Sequence, residues 1–137
     1  MSPATGRTTS ATPGDGRRRL DVARRYLEMA ETVNDDDADP VARTVAVGLA
    51  VLAGIAASDS ACIFRLGRYS RGQDHAEATT LLTAIEPGGQ QVARDLRVLL
   101  GLKDKAHYGF GDIGAPEAKR ALRNAANLVA FAQALLR

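Results

Sequence analysis

The chain has 137 residues, 45% of them hydrophobic, and a formal net charge of +2. This length suits one domain with a real apolar core, and the small net charge argues against a general nucleic-acid binder, whose surface is strongly basic. A single cysteine, Cys62, excludes an intrachain disulfide framework and is typical of a reducing compartment, so we expect a cytoplasmic protein.

The N-terminal residues are rich in Thr, Ser, Gly and Pro, which predicts a disordered tail over residues 1–16. Residues 17–137 are predicted to form one helical domain, because Ala and Leu dominate the apolar residues and no strand-like run is present. The first helix is predicted from Arg17 to Val33. Its apolar positions recur at helical spacing: Leu20, Ala23, Leu27 and Ala30.

A long second helix is predicted to begin at Pro40, with Asp39 as N-cap, and to end near Tyr69. Its apolar run from Val45 to Ala57 is shorter than the roughly 20 residues needed to span a bilayer. We therefore expect a buried core helix and no membrane partner. Gly48 and Gly54 lower helix propensity, which predicts close approach of neighbouring helices at these positions.

Three shorter helices complete the predicted fold. The third runs from His75 to Ile85, with Asp74 and Glu77 as a variant capping box, and the fourth runs from Gln90 to Tyr108. The fifth opens at Ala115-Pro116-Glu117 and continues close to the C-terminus. Short connections between long amphipathic helices predict an all-α, up-and-down bundle of four to five helices.

Polar residues interrupt the apolar stripes of the second and fourth helices. Asp59 lies in the middle of the second helix, where an isolated carboxylate would be costly or protonated. Lys103 lies on the stripe of the fourth helix, and His107 follows one turn later. We expect Asp59 to pair with Lys103, and these two residues to line one cleft with His107 and with Tyr108 at its edge. A buried ion pair that only sets helix register is the alternative interpretation.

Two basic segments offer further contacts. The segment from Arg65 to Gly72 follows Asp59 closely and either approaches the same cleft or only stabilises a helix end. The cluster Arg17-Arg18-Arg19 is interpreted as a solvated helix start or an RNA-facing edge. With only two histidines, the chain lacks ligands for a zinc site, so no metal or other cofactor is expected.

The stretch LKDKAHYG, Leu102 to Gly109, together with a long second helix that carries an acid, resembles the HEPN superfamily (higher eukaryote and prokaryote nucleotide-binding domain). In ribonuclease members of that family an arginine and a histidine that are separated by four to six residues act at a dimer interface without metal. Here His107 matches the histidine, Asp104 matches a common polar position, and Lys103 replaces the arginine at a shorter spacing. The run also resembles a basic-x-x-Ala-x-Tyr pattern of non-catalytic members, carried by Lys103, Ala106 and Tyr108.

The resemblance implies a homodimer in a toxin–antitoxin or defence context, with RNA or a nucleotide as ligand and an antitoxin or nucleotidyltransferase as partner. The leading hypothesis is a nucleotide- or RNA-associated binding or interaction module. One alternative is a metal-independent endoribonuclease that uses Lys103 and His107, with Asp59 tuning their pKa; another is a purely structural oligomerisation bundle. The ligand-contacting residues expected beside the catalytic candidates are Asp104, Lys105, Tyr108, Arg65 and Arg68.

Overall fold

A computed structural model describes residues 8–35, 38–71 and 75–136. It confirms the all-α helical bundle. The helices are α1 (Pro13–Val33), α2 (Pro40–Leu66), α3 (Ala76–Thr83), α4 (Gly89–Tyr108) and α5 (Ala115–Leu135), and two short strands are β1 (Thr8–Ser10) and β2 (Arg68–Ser70).

Helix α2 is the centre of the bundle and packs against every other helix. Its buried face consists largely of alanines, with Val47, Val51 and Cys62 among the larger side chains. By length and composition α2 could cross a membrane, yet 78% of its most apolar window is buried inside the bundle. A core helix surrounded by other helices is apolar for this reason alone, because nearly all its faces are removed from water.

Both long N-terminal helices begin at side-chain caps. The Asp39 Oδ1 atom accepts a hydrogen bond of 2.7 Å from the backbone N–H of Ala42, as the sequence predicts for the start of α2. Thr12 and Asp15 form a reciprocal capping box that starts α1 at Pro13. The prediction of a disordered tail over residues 1–16 is therefore wrong from residue 8 onward; residues 1–7 lie outside the described residues.

The prediction that the chain contains no strand is also wrong. Strand β1 pairs antiparallel with β2, with Thr9 opposite Tyr69. Helix α2 ends three residues earlier than expected, because Gly67 adopts the left-handed conformation with φ of 73° and turns the chain into β2. The proposed capping residue Asp74 lies outside the described residues, and α3 begins after His75.

Two glycines of α2 lie where a neighbouring side chain comes close, as the sequence predicts. A Cβ atom on Gly54 would overlap the Leu99 Cδ1 atom of α4 and lie 3.3 Å from the Leu128 Cδ1 atom of α5. A Cβ atom on Gly48 would lie 3.4 Å from the Nε2 atom of His107. Gly54 therefore lets three helices meet in the core.

We expect Gly54→Ala to lower the free energy of unfolding by about 1–3 kcal/mol, since overpacking against two fully buried leucines outweighs the gain in helix propensity. The matched control is Gly101→Ala in α4, where an added Cβ meets nothing within 4 Å and should stabilise by about 0.5–1 kcal/mol. Urea unfolding of both variants measures the difference. Equal effects of the two substitutions would contradict the close packing at Gly54.

Candidate functional site

Asp59 is held by α1 rather than by α4. Its Oδ2 atom lies 3.2 Å from the Nη2 atom of Arg19, and its side chain is only 13% exposed. The predicted ion pair between Asp59 and Lys103 is therefore wrong. Arginine is well suited to this position, because a guanidinium can hold a carboxylate and still keep other N–H donors free.

Lys103 instead contacts His75, the residue immediately before α3. Its Nζ atom lies 3.3 Å from the Nε2 atom of His75. An ammonium can only donate, so we assign the acceptor role to Nε2 and the ring proton to Nδ1. This contact places Lys103 behind a histidine that itself lines the cavity containing Asp59.

His107, near the end of α4, packs against a different part of α2 from Asp59. Its ring packs over Gly48, eleven residues before Asp59, which corresponds to about 16 Å along the helix axis. The imidazole is exposed, and its centroid lies 6.2 Å from the ring centroid of Tyr108, which is 73% exposed. The prediction of one cleft shared by Asp59, Lys103 and His107 is therefore wrong.

The remaining predicted contact residues are also dispersed. Lys105 pairs with Glu117 of α5 at 3.6 Å, and Arg65 donates through Nη1 to the backbone oxygen of Glu86 at 2.8 Å. Asp104 and Arg68 are exposed, and neither lines the two cavities beside Asp59. Arg65 therefore fixes the turn before α4.

A cavity of about 330 Å³ opens between α2, β2, α3 and α4, a size typical of small-ligand sites. Asp59 lies in its wall. The segment after α2 reaches it through Tyr69, Ser70 and Arg71, and His75 contributes from the start of α3. Its apolar part comes from Ile55, Ala78 and Leu96.

Two hydroxyl groups in this cavity are buried without a hydrogen-bond partner among the described residues. They are the Oγ atoms of Ser58 and Ser70, and the whole Ser58 residue is only 1% exposed. Ser60, two residues further along α2 and on its opposite side, shows the ordinary arrangement, since its hydroxyl donates to the backbone oxygen of Gly16 at 2.8 Å. A buried hydroxyl that is left unpaired is costly, so two of them facing one cavity call for an explanation.

A second cavity of about 460 Å³ lies on the other side of Asp59. Asp59 and Tyr69 line both cavities and so form the wall between them. Arg18 and Arg19 of α1 supply the positive charge of the second cavity, which also includes Asp15 and Ile63. The carboxylate of Asp59 therefore faces a region of hydroxyls on one side and a region of arginines on the other.

The surroundings of Asp59 set its proton affinity. Burial raises the pKa of Asp59 to about 6, and the adjacent Arg19 guanidinium opposes that rise. Burial also raises the pKa of the Cys62 thiol to about 12, and the Asp59 charge adds to the rise. The nearby Ser58 hydroxyl, whose geometry falls short of a hydrogen bond, and the charge of Arg68 oppose it. Cys62 is therefore an inert thiol.

Within the ranges that the structure describes, no group of three His, Cys, Asp or Glu residues could hold a metal ion.

Sequence reasoning identified Asp59 and gave the approach of the Arg65–Gly72 segment to its cleft as one of two interpretations. The residues of that segment that line the cavity are Tyr69, Ser70 and Arg71, not the expected Arg65 and Arg68. Arg19 belongs to an arginine cluster that was interpreted only as a solvated start or an RNA-facing edge, and β2 was missed. Helical periodicity could have indicated Arg19, because it lies three residues after Gly16 and four before Ala23, both of which are buried on α1. No local signal singles out Ser70 within the Arg65–Gly72 segment, or His75, because their place beside Asp59 depends on tertiary packing.

No family model, no curated protein and no solved structure matches this chain.

The raised pKa of Asp59 predicts how stability depends on pH. The folded state holds this proton more tightly than the unfolded chain, whose carboxyl has a pKa near 3.8. The stability that the folded state gains from holding the Asp59 proton is therefore fully present below pH 4 and is lost as pH rises through about 6. A pKa difference of this size corresponds to at most about 3 kcal/mol.

We expect Asp59→Asn to remove this pH dependence, so that its free energy of unfolding rises relative to the wild type between pH 4 and pH 7. Arg19→Gln should extend the loss of stability to higher pH, because the charge that stabilises the Asp59 carboxylate is gone. Denaturant unfolding across this pH range tests both. A constant difference between Asp59→Asn and wild type would show that Asp59 titrates like an exposed carboxyl.

Proposed function

We propose that this chain is a nucleotide-binding helical bundle, and that its ligand occupies the cavity lined by Ser58, Asp59, Ser70 and His75. The observation that carries the proposal is the pair of buried serine hydroxyls that lack partners among the described residues and face the same space as a largely buried carboxylate. A bound ligand that carries hydroxyl groups would satisfy all three side chains. The resemblance of the sequence to a nucleotide-associated family supports the same ligand class and its toxin–antitoxin or defence setting.

A ribose fits the hydrogen-bonding capacity of this cavity. Vicinal hydroxyls can both donate to one carboxylate, the way acidic residues hold the ribose of dinucleotides elsewhere. Each serine hydroxyl can donate and accept, and so adapts to either sugar oxygen. The low exposure of Asp59 strengthens these bonds, because water competes poorly for its oxygens.

The rest of the cavity supplies an aromatic and apolar surface for a base, with positive charge at its edge. Tyr69 offers an aromatic ring in the wall, and stacking of a base on such a ring contributes about 1–3 kcal/mol. Arg71 is exposed at the cavity. Lys103, which contacts His75, places a second positive charge behind that histidine. The site therefore combines apolar walls with a few convergent polar groups, as small-molecule sites usually do.

We expect Ser58→Ala to weaken binding of adenosine 5′-monophosphate about 10-fold, the loss of one hydrogen bond to the ligand, measured by isothermal titration calorimetry. The same substitution should leave the apo protein equally stable or up to about 1 kcal/mol more stable, because it removes an unpaired buried hydroxyl. Opposite effects on affinity and stability are typical of a residue kept for function.

Ser60→Ala is the matched control, since it removes a hydroxyl of the same helix that is already bonded inside the protein. It should cost about 1 kcal/mol of stability and leave the affinity unchanged. The proposal would be overturned if the wild type bound none of the monophosphates of adenosine, guanosine, cytidine and uridine. Equal affinities of Ser58→Ala and wild type for the monophosphate would show that the ligand binds outside this cavity.

A metal-independent endoribonuclease remains the second candidate, because His107 is exposed and lies one turn from Lys103 on α4. General acid–base cleavage requires both groups to reach one phosphodiester. Lys103 faces His75 and His107 covers Gly48, so binding is the function that the geometry favours.

We expect the wild-type protein to leave single-stranded RNA intact in the presence of EDTA, as judged by gel electrophoresis over hours. If cleavage occurs, His107→Ala should abolish it and Ser58→Ala should not, because only His107 belongs to the nuclease candidate. Cleavage with this pattern would replace the binding proposal by the nuclease. His107→Ala changes an exposed side chain and Ser58→Ala removes only a hydroxyl, so circular dichroism checks the folding of both variants.

A further inference from the structure

We infer that the second cavity is the phosphate subsite of the same ligand, with Arg18 and Arg19 as its anion-binding groups. This inference rests on the proposed function, in which the sugar lies against Ser58 and Asp59. It adds a requirement that the first cavity by itself does not impose: the ligand must carry a phosphate, and a free nucleoside must bind more weakly.

The two cavities are placed for one ligand to extend across both. Asp59 and Tyr69 belong to both linings, so a sugar held by the Asp59 carboxylate is already at the boundary. Both cavities open to solvent, so a substituent on that sugar that passes over the wall formed by Asp59 and Tyr69 enters the space beside Arg18 and Arg19. The second cavity is the larger one, at about 460 Å³, which leaves room for a phosphate and its bound water.

The charges of this cavity are available to an incoming anion. Arg18 forms no ion pair with any residue in the described part of the chain, and it is exposed. Arg19 uses its Nη2 atom on Asp59, but a guanidinium has five N–H donors and can bind a second acceptor. Two guanidinium groups that converge on one cavity match the geometry of a phosphate, which they can hold through paired hydrogen bonds.

The negative charges of the same cavity are already engaged. The Oδ2 atom of Asp15 accepts a hydrogen bond from the backbone N–H of Thr12 at 2.9 Å, and these cap bonds lower the pKa of Asp15. The Arg19 guanidinium pairs with the Asp59 carboxylate and so partly neutralises it on the side of this cavity. Asp15 stays ionised but is held by its cap bonds at the start of α1, so Arg18 is the one charged side chain lining the cavity that has no ion-pair or cap partner among the described residues.

The test compares adenosine with adenosine 5′-monophosphate by calorimetry in three proteins: wild type, Arg18→Gln and Arg17→Gln. Arg17 is the matched control, because it is exposed on the same turn of α1 but does not line this cavity. In the wild type and in Arg17→Gln we expect the monophosphate to bind about 10-fold tighter than the nucleoside, as one charge-assisted contact provides. In Arg18→Gln this ratio should fall to less than about 3, while the affinity for adenosine stays the same.

Each other outcome has a distinct meaning. Equal affinities of nucleoside and monophosphate for the wild type would overturn the phosphate subsite and leave the nucleotide cavity in place. Equal losses in Arg17→Gln and Arg18→Gln would also overturn it, because the effect would then come from net charge. If neither compound binds the wild type, the proposed function fails and this inference fails with it. Raising the salt concentration should reduce the ratio in the wild type, since the added contact is electrostatic.

Discussion

The burial of Asp59 in the central helix is the constraint on which the arrangement of this molecule depends. A carboxylate in the most apolar helix of a bundle must be paired or protonated, and Arg19 provides the pairing at 3.2 Å. That contact ties α1 to α2 and forms part of the wall between two cavities. The raised pKa of Asp59 shows that the pairing only partly offsets the cost of burial.

A second unfavourable feature lies next to the first. The hydroxyls of Ser58 and Ser70 are buried without partners among the described residues, whereas Ser60 is fully satisfied by Gly16. Alanine at position 58 would fit the surrounding small-residue packing with no polar group to satisfy. Polar groups that weaken a fold and converge on one cavity are typical of sites shaped by a ligand, because their hydrogen bonds are completed only when it is bound.

Local rules predicted much of the fold. The Asp39-Pro40 start of α2, the end of α4 at Tyr108 and the opening of α5 at Ala115 follow from caps, turn residues and periodicity. The same rules failed at the N-terminus, where the low-complexity composition concealed the Thr12–Asp15 capping box. They also failed at the β1–β2 pair, because strands of three residues carry no alternation and their pairing joins segments about 60 residues apart.

By itself the sequence determined that the chain folds into helices around an apolar α2, and that Asp59 must find a partner there. Periodicity and burial cost are local properties, so one helix is enough to infer them. Only the tertiary structure decided that the partner is Arg19 and not Lys103, that His107 lies over Gly48, and that Ser70 and His75 face Asp59. These choices depend on how helices rotate against each other and where turns return the chain, which no single segment encodes.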